Sequence, residues 1–517
     1  MSTFLVLFYN YTFYKNVFEI YPINAENFAF LISSFIFIAA LTSLVFTLFS
    51  SRYTTKGILI VVVLVSSLTA YFMNTYQVVI DASMIRNMLQ TDMHESLDLL
   101  TIKEAAYFIV LGLIPAFVIY KTKIDYRSVK TELLAKLKMI VGVIVLLLGM
   151  VYIFMPHYTS FLSEHKPLRY STNPTYWIYS IGKYIELSAT AGEIIVEPIG
   201  LDAKIDVNET QQRKLVIMVV GEAARADHFS LNGYKNETNP LLKQENIINF
   251  SNMYSCGTST AHSVPCMFSV YGRKDFTYKK GITTQSVLDV IKTTNEVSIL
   301  WRDNNSDSKG VALRVPFEDY KGHLNTIRID GEQRDIGMLV GLDEYIKKQE
   351  GKDILIVLHQ MGNHGPAYYK RYAKDFETFT PVCETSQLEQ CSKEEINNAY
   401  DNAILYTDYF LTEVISLLKE HNSDYKTAMI YMSDHGESLG ENGIYLHGLP
   451  YFMAPDAQKH IGALMWFSPK MREEFDIDAL ASREAKAYSQ DNLFHTLLGI
   501  FKVQTEVYQS DKDMLLE

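Results

Sequence analysis

Cysteine is scarce in this chain: there are four in 517 residues, and none in the first 155. No pair is spaced C-x₂-C, which argues against a thiolate zinc site of the usual kind. No internal repeat and no low-complexity tract is present, so solenoid and blade-repeat architectures are excluded. Basic excess is missing too, since 47 Lys and Arg stand against 59 Asp and Glu, a net charge of -12. The N-terminus lacks the basic n-region and small-residue cleavage site of a secretory leader. The apolar stretch Phe4 to Phe13 therefore reads as a short first membrane span.

What is present has two compositions, which the mean hydropathy of +0.01 averages away. The first 155 residues are dominated by long apolar runs, and the rest reads as a globular α/β domain. Phe28 to Ser50, Gly57 to Met73, Ala105 to Tyr120 and Met139 to Met155 are long enough, or nearly so, to cross a bilayer, which takes about 20 apolar residues. Loop charges give the orientation. Arg52 and Lys56 follow the second span, and Lys121, Lys123, Arg127, Lys130, Lys136 and Lys138 follow the fourth. The intervening loop carries Asp81, Asp92, Glu95, Asp98 and Glu104. Five spans then leave the N-terminus in the cytoplasm and export everything after Pro156. The expected division is a transmembrane domain over 1–156, a connector over 157–211 and an α/β domain over 212–517. The connector holds Pro167, Pro174 and Pro198 with Tyr170, Tyr176, Trp177 and Tyr179, a composition suited to an interface. In an exported domain the cysteines read as two local disulfides, Cys256 with Cys266 and Cys383 with Cys391.

From Lys214 onward, short apolar β-type runs alternate with helical patterns, implying a mostly parallel sheet covered on both faces. Each run stops at residues able to bind metal or phosphate. Lys214 to Val220 runs into Gly221-Glu222, and Val297 to Trp301 into Arg302-Asp-Asn-Asn305. Ile354 to Leu358 runs into His359-Gln-Met-Gly-Asn-His364, and Thr427 to Met432 into Ser433-Asp-His-Gly-Glu437. Sites in open α/β sheets form outside the carboxyl ends of the strands, so these ends converge. Glu222, Asp434 and His435 make a donor set suited to zinc, with a fourth position left for an oxygen.

Cys256-Gly-Thr-Ser-Thr-Ala-His-Ser-Val-Pro-Cys266 places small hydroxyls before an apparent helix start, with Pro265 fitting a first turn. A helix N-terminus there offers N–H groups to phosphate, and a hydroxyl beside a metal can act as a nucleophile. Composition leaves Thr258, Ser259 and Thr260 as equal candidates. His364 and His447 lie in Gly-rich loops suited to metal or phosphate oxygen. Lys309 is a point charge for phosphate.

Five segments carry a family resemblance. They are Gly221-Glu-Ala-Ala-Arg-Ala-Asp-His228, Cys256-Gly-Thr-Ser-Thr260, Trp301-Arg-Asp-Asn-Asn305, His359-Gln-Met-Gly-Asn-His-Gly-Pro366 and Ser433-Asp-His-Gly-Glu-Ser-Leu-Gly-Glu-Asn442. Through them the chain resembles, over nearly its whole length, the bacterial phosphoethanolamine transferases that modify lipid A, including the mobile colistin-resistance enzymes. These belong to the alkaline-phosphatase/sulfatase-like superfamily. The resemblance implies zinc held by Glu222, Thr260, Asp434 and His435, with Thr260 as the nucleophile that becomes phosphoethanolamine-modified. It puts Asn305, Lys309, His364 and His447 on the donated phosphate or on a second zinc. It further implies a monomer of the bacterial inner membrane with its catalytic domain in the periplasm. Phosphatidylethanolamine is then the donor, a lipid A phosphate the acceptor, polymyxin resistance the outcome, and nucleic acid no partner.

Three departures stand out. Ala223 occupies a position where many relatives have Thr. His323 to Asp335 lacks the cysteine of a third disulfide, which leaves that loop freer. The shorter N-terminus makes an incomplete first span the expectation. Rival readings are transfer to a lipopolysaccharide core sugar or a periplasmic glucan, and a phosphoglycerol transferase of lipoteichoic-acid-synthase type. A sulfatase is disfavoured because no Cys-x-Pro-x-Arg site stands at Thr260. An inactive binding scaffold predicts a lost ligand or nucleophile, and none is missing.

Overall fold

The apolar runs of the N-terminal part are helices in the computed structural model. It describes all residues except 91–98, 156, 159–160, 162–165, 190–194, 207–211, 350 and 517. Asp92, Glu95, Asp98, the boundary residue Pro156 and Gln211 therefore lie outside the described residues. The chain divides into two compact units, Met1–Ile85 with Leu100–Glu186, and Arg86–Leu99 with Leu187–Glu517.

In the first unit, α1 (Ser2–Tyr9) and α2 (Tyr11–Ile20) meet at Asn10. They are followed by α3 (Phe28–Phe49), α4 (Thr55–Tyr76), α5 (Ile102–Lys121) and α6 (Val129–Ile153). Among the described residues these last four are the helices long and apolar enough to cross a membrane. At 1.5 Å per residue, α3 is roughly 33 Å long, matching a bilayer core. The expected first span is thus two short helices. The break is satisfied internally: Asn10 Nδ2 donates to Leu5 O (3.1 Å) and Asn173 O (2.6 Å), and Asn173 N donates back to Asn10 Oδ1 (2.7 Å). Asn173 Nδ2 reaches Ser66 O and Thr69 Oγ1 on α4, both at 3.0 Å, and Trp177 Nε1 reaches Ser66 Oγ at 3.2 Å. Buried polar groups in such a setting need partners, and the Asn10 and Asn173 amides find theirs in one another, on α1 and on α4. Asn173 and α7 (Thr175–Ala189) thereby bring part of the connector into this unit. The last span starts at Val129 rather than near Met139, because Lys, Leu, Glu and Ala are good helix formers and nothing breaks the turn.

The second unit is built on a seven-stranded sheet. In chain order its strands are β1 (Lys214–Gly221), β2 (Ile247–Asn249), β3 (Val297–Asp303), β4 (Phe317–Asp319), β5 (Asp353–His359), β6 (Lys426–Ser433) and β7 (Ala463–Phe467). Their spatial order is β2-β7-β6-β1-β5-β3-β4. β4, β3, β5, β1 and β6 pair in parallel, while β7 is antiparallel to both its neighbours. Side chains alternate across the central strand. Val216, Met218 and Val220 enter one apolar layer, with α9 (Val287–Thr293) and α11 (Leu493–Ile500). Leu215, Ile217 and Val219 enter the other, under α10 (Lys393–Glu420). α10 starts at a reciprocal cap in which Ser392 Oγ accepts Glu395 N and Glu395 Oε2 accepts Ser392 N. Helix α8 (Thr260–Met267) starts outside the end of β1.

Candidate metal and nucleophile site

The carboxyl ends of β1 and β6, side by side in the sheet, deliver Glu222, Asp434 and His435, all fully buried. The turn after β1 is held tightly. Ala223 takes a left-handed φ of 54°, its N–H donates to Asp434 Oδ1 (3.1 Å), and Tyr400 of α10 donates to its carbonyl (2.6 Å). Ala there accepts about 1 kcal/mol of conformational cost for that direction of the chain. Gly362 lies against the same turn. A Cβ on it would come within 2.9 Å of Glu222 O, so a side chain is excluded.

Thr260 is the first residue of α8, with Ser259 at the N-cap position and making no side-chain cap bond. Pro265 consequently falls in the second turn, not the first, where its missing N–H leaves Ala261 without the usual i+4 donor. Thr260 Oγ1 donates to Glu222 Oε2 at 3.1 Å and lies 3.3 Å from His435 Nε2. Of the neighbouring hydroxyls, Thr258 donates to Leu449 O at 2.6 Å, and no hydrogen bond from Ser259 reaches the cluster among the described residues. Of the three hydroxyls, that of Thr260 is the one in hydrogen-bond contact with Glu222 and His435.

Several observations test the fit of this cluster to zinc. Glu222 Oε1 and Asp434 Oδ2 are buried with no hydrogen-bond partner, an expensive condition for anionic oxygens. His435 Nδ1 faces Gly436 O at 2.8 Å, which assigns the proton to Nδ1 and leaves the Nε2 lone pair free. Nε2 is 3.3 Å from Glu222 Oε1, 3.4 Å from Asp434 Oδ2 and 3.3 Å from Thr260 Oγ1. Two carboxylates, an imidazole lone pair and a hydroxyl gathered around Nε2 are a donor set of the kind zinc takes. Glu222, His435 and His447 also form a group whose ligand atoms lie within 4.8 Å of one another. A second such group, Cys256, Cys266 and Asp491, contains disulfide sulfurs and is no thiolate site.

His447 stands over His435 with ring centroids 4.2 Å apart, and its Nδ1 pairs with the buried Glu437 Oε2 at 2.7 Å. Burial disfavours the charged ring, but the Glu437 carboxylate overrides it and pushes His447 up to about 9. His364 behaves oppositely: burial pushes it down to about 4 despite Glu222. Its ring lies 5.7 Å from that of His447, and its Nδ1 has no hydrogen-bond partner. Lys309, nearly buried at φ 51°, donates to Ser306 O at 2.8 Å. Asn305 is turned toward Glu222: its Nδ2 donates to Glu222 Oε2 (2.8 Å) and Gln360 O (2.7 Å), which engages both amide hydrogens.

Both expected disulfides are formed, with Cα separations of 6.2 Å for Cys256–Cys266 and 5.8 Å for Cys383–Cys391. The stretch from His323 to Asp335 is tied by hydrogen bonds instead of a crosslink. Asp335 accepts from Asn304 Nδ2, Met361 N and Gly362 N (2.7, 2.9 and 3.1 Å), and Asn325 Nδ2 donates to Arg334 O at 3.0 Å.

Three supports escaped the sequence reading as individual residues. Glu437 receives Tyr368 OH at 2.7 Å besides His447. Gln490 donates to Ser433 O and Asp434 O and accepts Cys256 N, coupling the end of β6 to the nucleophile loop. Asp303 pairs with His359 Nδ1 at 2.9 Å beneath the site. Glu437 carried a local signal, an acid two residues beyond His435 in the quoted motif. Gln490 carried none.

Comparison with known proteins covers both units of the chain. Residues 214–503 match the sulfatase family model, and residues 38–189 match that of phosphoethanolamine transferase EptA/EptB. The chain is 42% identical over 519 residues to phosphatidylethanolamine transferase Mcr-1 of Escherichia coli, covering 98% of this chain and 94% of that protein. It is 38% identical to phosphoethanolamine transferase EptA of Escherichia coli strain K12, with 98% and 93% covered. Among solved structures, the integral membrane lipooligosaccharide phosphoethanolamine transferase A from Neisseria meningitidis superposes with a TM-score of 0.95. That match has 33% identity and covers 100% of this chain and 97% of that one.

Proposed function

Because the chain belongs to the EptA/EptB phosphoethanolamine transferase family, with a sulfatase-type catalytic domain, we propose that it moves phosphoethanolamine from phosphatidylethanolamine to a lipid A phosphate through a covalent intermediate on Thr260. The carrying observation is the position of Thr260 Oγ1, at a helix start and within 3.1 and 3.3 Å of Glu222 and His435.

The transfer has two steps, as covalent catalysis requires. Thr260 Oγ attacks the donor phosphorus, the bond to the glycerol oxygen breaks, and diacylglycerol leaves carrying the proton. An acceptor phosphate oxygen then attacks the same phosphorus. The Thr260 Oγ–P bond breaks, a P–O–P linkage forms, and Thr260 regains a proton. Glu222, Asp434, His435 and Thr260 would hold a zinc ion, which would lower the hydroxyl pKa and give the phosphoryl oxygens a counter-charge. His447, kept cationic by Glu437, donates to those oxygens. His364, kept neutral by burial, presents an acceptor nitrogen at the same face and would be the ligand for a second zinc. Lys309 adds positive charge, and Asn305 fixes the direction of Glu222.

The domain scheme that serves this chemistry is a membrane domain over 1–156, a connector over 157–211 and a periplasmic catalytic domain over 212–517. The enzyme works as a monomer in the inner membrane, where both lipid substrates are held at the bilayer surface. The test is expression in a sensitive Gram-negative host. Lipid A should gain phosphoethanolamine, and polymyxin tolerance should rise as the outer surface loses negative charge. Peptide mass spectrometry should find the group on Thr260, and Thr260→Ala should do none of this. If core sugars or glucans gain the group instead, the acceptor is wrong. Turnover by Thr260→Ala refutes the mechanism.

A further inference from the structure

A groove of about 620 Å³ opens beside the nucleophile loop, outside the Glu222–His435 cluster. Its lining includes Tyr254, Arg273, Lys274, Tyr451, Asp491 and Lys512. Two of its walls are continuous with the catalytic machinery. Tyr254 stands just before Cys256, whose N–H is held by Gln490, the residue that also binds the carbonyls of Ser433 and Asp434. Tyr451 ends the loop from His447, and that loop is fastened to Thr258 twice, by Gly448 N on Thr258 O (2.7 Å) and Thr258 Oγ1 on Leu449 O (2.6 Å).

The remaining wall is a turn seated on Asp491. Arg273 N donates to Asp491 Oδ1 at 2.9 Å, and a Cβ on Gly272 would lie 2.6 Å from Asp491 Oδ2, so this approach needs glycine. The turn aims the Arg273 guanidinium at the Tyr451 ring, 4.5 Å from its centroid, and Lys459 Nζ lies 5.5 Å from the same centroid. Arg273 and Lys274 are solvent-exposed. Of the facing carboxylates, Asp491 already accepts a backbone N–H, and Asp275 is exposed.

This lining matches one ligand chemistry. Aromatic rings offer flat apolar faces to sugar C–H groups. Arginine's planar fork and a neighbouring lysine take phosphate oxygens. The cations at its rim suit an anionic, polar ligand rather than an acyl chain. On the reading of the function given above, we propose that this groove is the acceptor subsite. It receives the phosphorylated saccharide headgroup of the acceptor glycolipid, with phosphate on Arg273, which Tyr451 holds in place, and on Lys274. The groove acts in the second half-transfer only, when acceptor phosphate attacks the phosphorus carried on Thr260.

The two half-reactions separate in the full-length enzyme in detergent. Loading is followed as diacylglycerol release and as phosphoethanolamine mass on Thr260, with phosphatidylethanolamine alone. Completion is followed as transfer to purified lipid A. The variant Arg273→Glu/Lys274→Glu should load Thr260 at the wild-type rate, which also reports an intact fold. Its transfer to lipid A should fall by about tenfold or more, with KM for lipid A raised, the scale expected when charged hydrogen bonds to an anion are reversed in sign. Arg273→Lys should recover part of the loss. The proposal is overturned if transfer is unaffected, or if loading falls in step with transfer. Wild-type enzyme that never loads Thr260 overturns the underlying function reading, and this subsite with it.

Discussion

Replacing Glu222 with glutamine should change the sign of its effect on stability according to whether zinc is present. Glu222 Oε1 and Asp434 Oδ2 are both buried without a hydrogen-bond partner, and both lie beside His435 Nε2, so in chelator their charge has no counter-ion. A buried unsatisfied acceptor costs about 1–3 kcal/mol, and more when charged. Glutamine is isosteric. Its amide oxygen can keep the bonds from Thr260 and Asn305 that Oε2 now accepts. Its NH₂ then replaces an orphan acceptor with a donor 3.3 Å from the Nε2 lone pair of His435. Metal-free Glu222→Gln should therefore be more stable than wild type by about 1–3 kcal/mol. In a domain of a few hundred residues this raises Tm by about 2–4 °C per kcal/mol. Zinc reverses the order. At a thousandfold excess over Kd, wild type gains about 4.1 kcal/mol by mass action, whereas the variant, short of a ligand, gains little. Thermal unfolding of full-length protein in chelator and in excess zinc reads both arms. If the variant melts below wild type in chelator and zinc shifts the two equally, Glu222 does not face a metal.

Two further outcomes follow from features away from the nucleophile. Glu474 is buried among Lys214, Lys426 and Lys502 at 2.8, 2.7 and 2.6 Å; burial opposes its charge, but these cations push it down to about 2. A depressed carboxyl stabilises the fold above its unfolded pKa and loses that contribution as pH falls through the folded value. Stability should therefore drop between about pH 4.5 and 2, and Glu474→Gln should flatten the drop in an acid titration of unfolding. The two disulfides should separate by function. Removing Cys383–Cys391, a loop of sequence separation 8, should cost about 2–3 kcal/mol in denaturant melts and leave transfer intact. Removing Cys256–Cys266 should cost transfer as well, because that loop holds Thr260.

The strands were legible because both of their faces are buried. A doubly covered strand is a nearly unbroken apolar run, so β1, β3, β5 and β6 were placed to within a residue or two at each end. Neither the spatial order of the strands nor the reversal of β7 leaves such a trace, since each depends on which elements meet across the sheet. The first span shows how a short polar residue misleads. Asn10 sits inside an aromatic run and reads as an interruption to be tolerated. In the fold it is where two helices join, and its partner Asn173 lies 163 residues away.

The site was legible in proportion to how local its cause is. Glu222, Asp434 and His435 follow strand ends, and a strand end is written in adjacent residues. Choosing Thr260 over Thr258 and Ser259 required the family resemblance, because hydroxyls two residues apart look alike until the helix start and the Leu449 carbonyl sort them. Gln490 and Asp335 act through partners distant in sequence or through burial, neither of which a local pattern records. Asn305 illustrates the remaining gap. Its position after β3 pointed to phosphate, and it does lie at the site. Both of its amide hydrogens, however, are held by Glu222 and Gln360. A direct bond to phosphate would need one of them released, and releasing Glu222 would loosen a carboxylate whose other oxygen has no hydrogen bond to hold it. Orienting that carboxylate is therefore the role its geometry supports. The sequence identified a polar residue at the right strand end but could not say which neighbour its amide would hold.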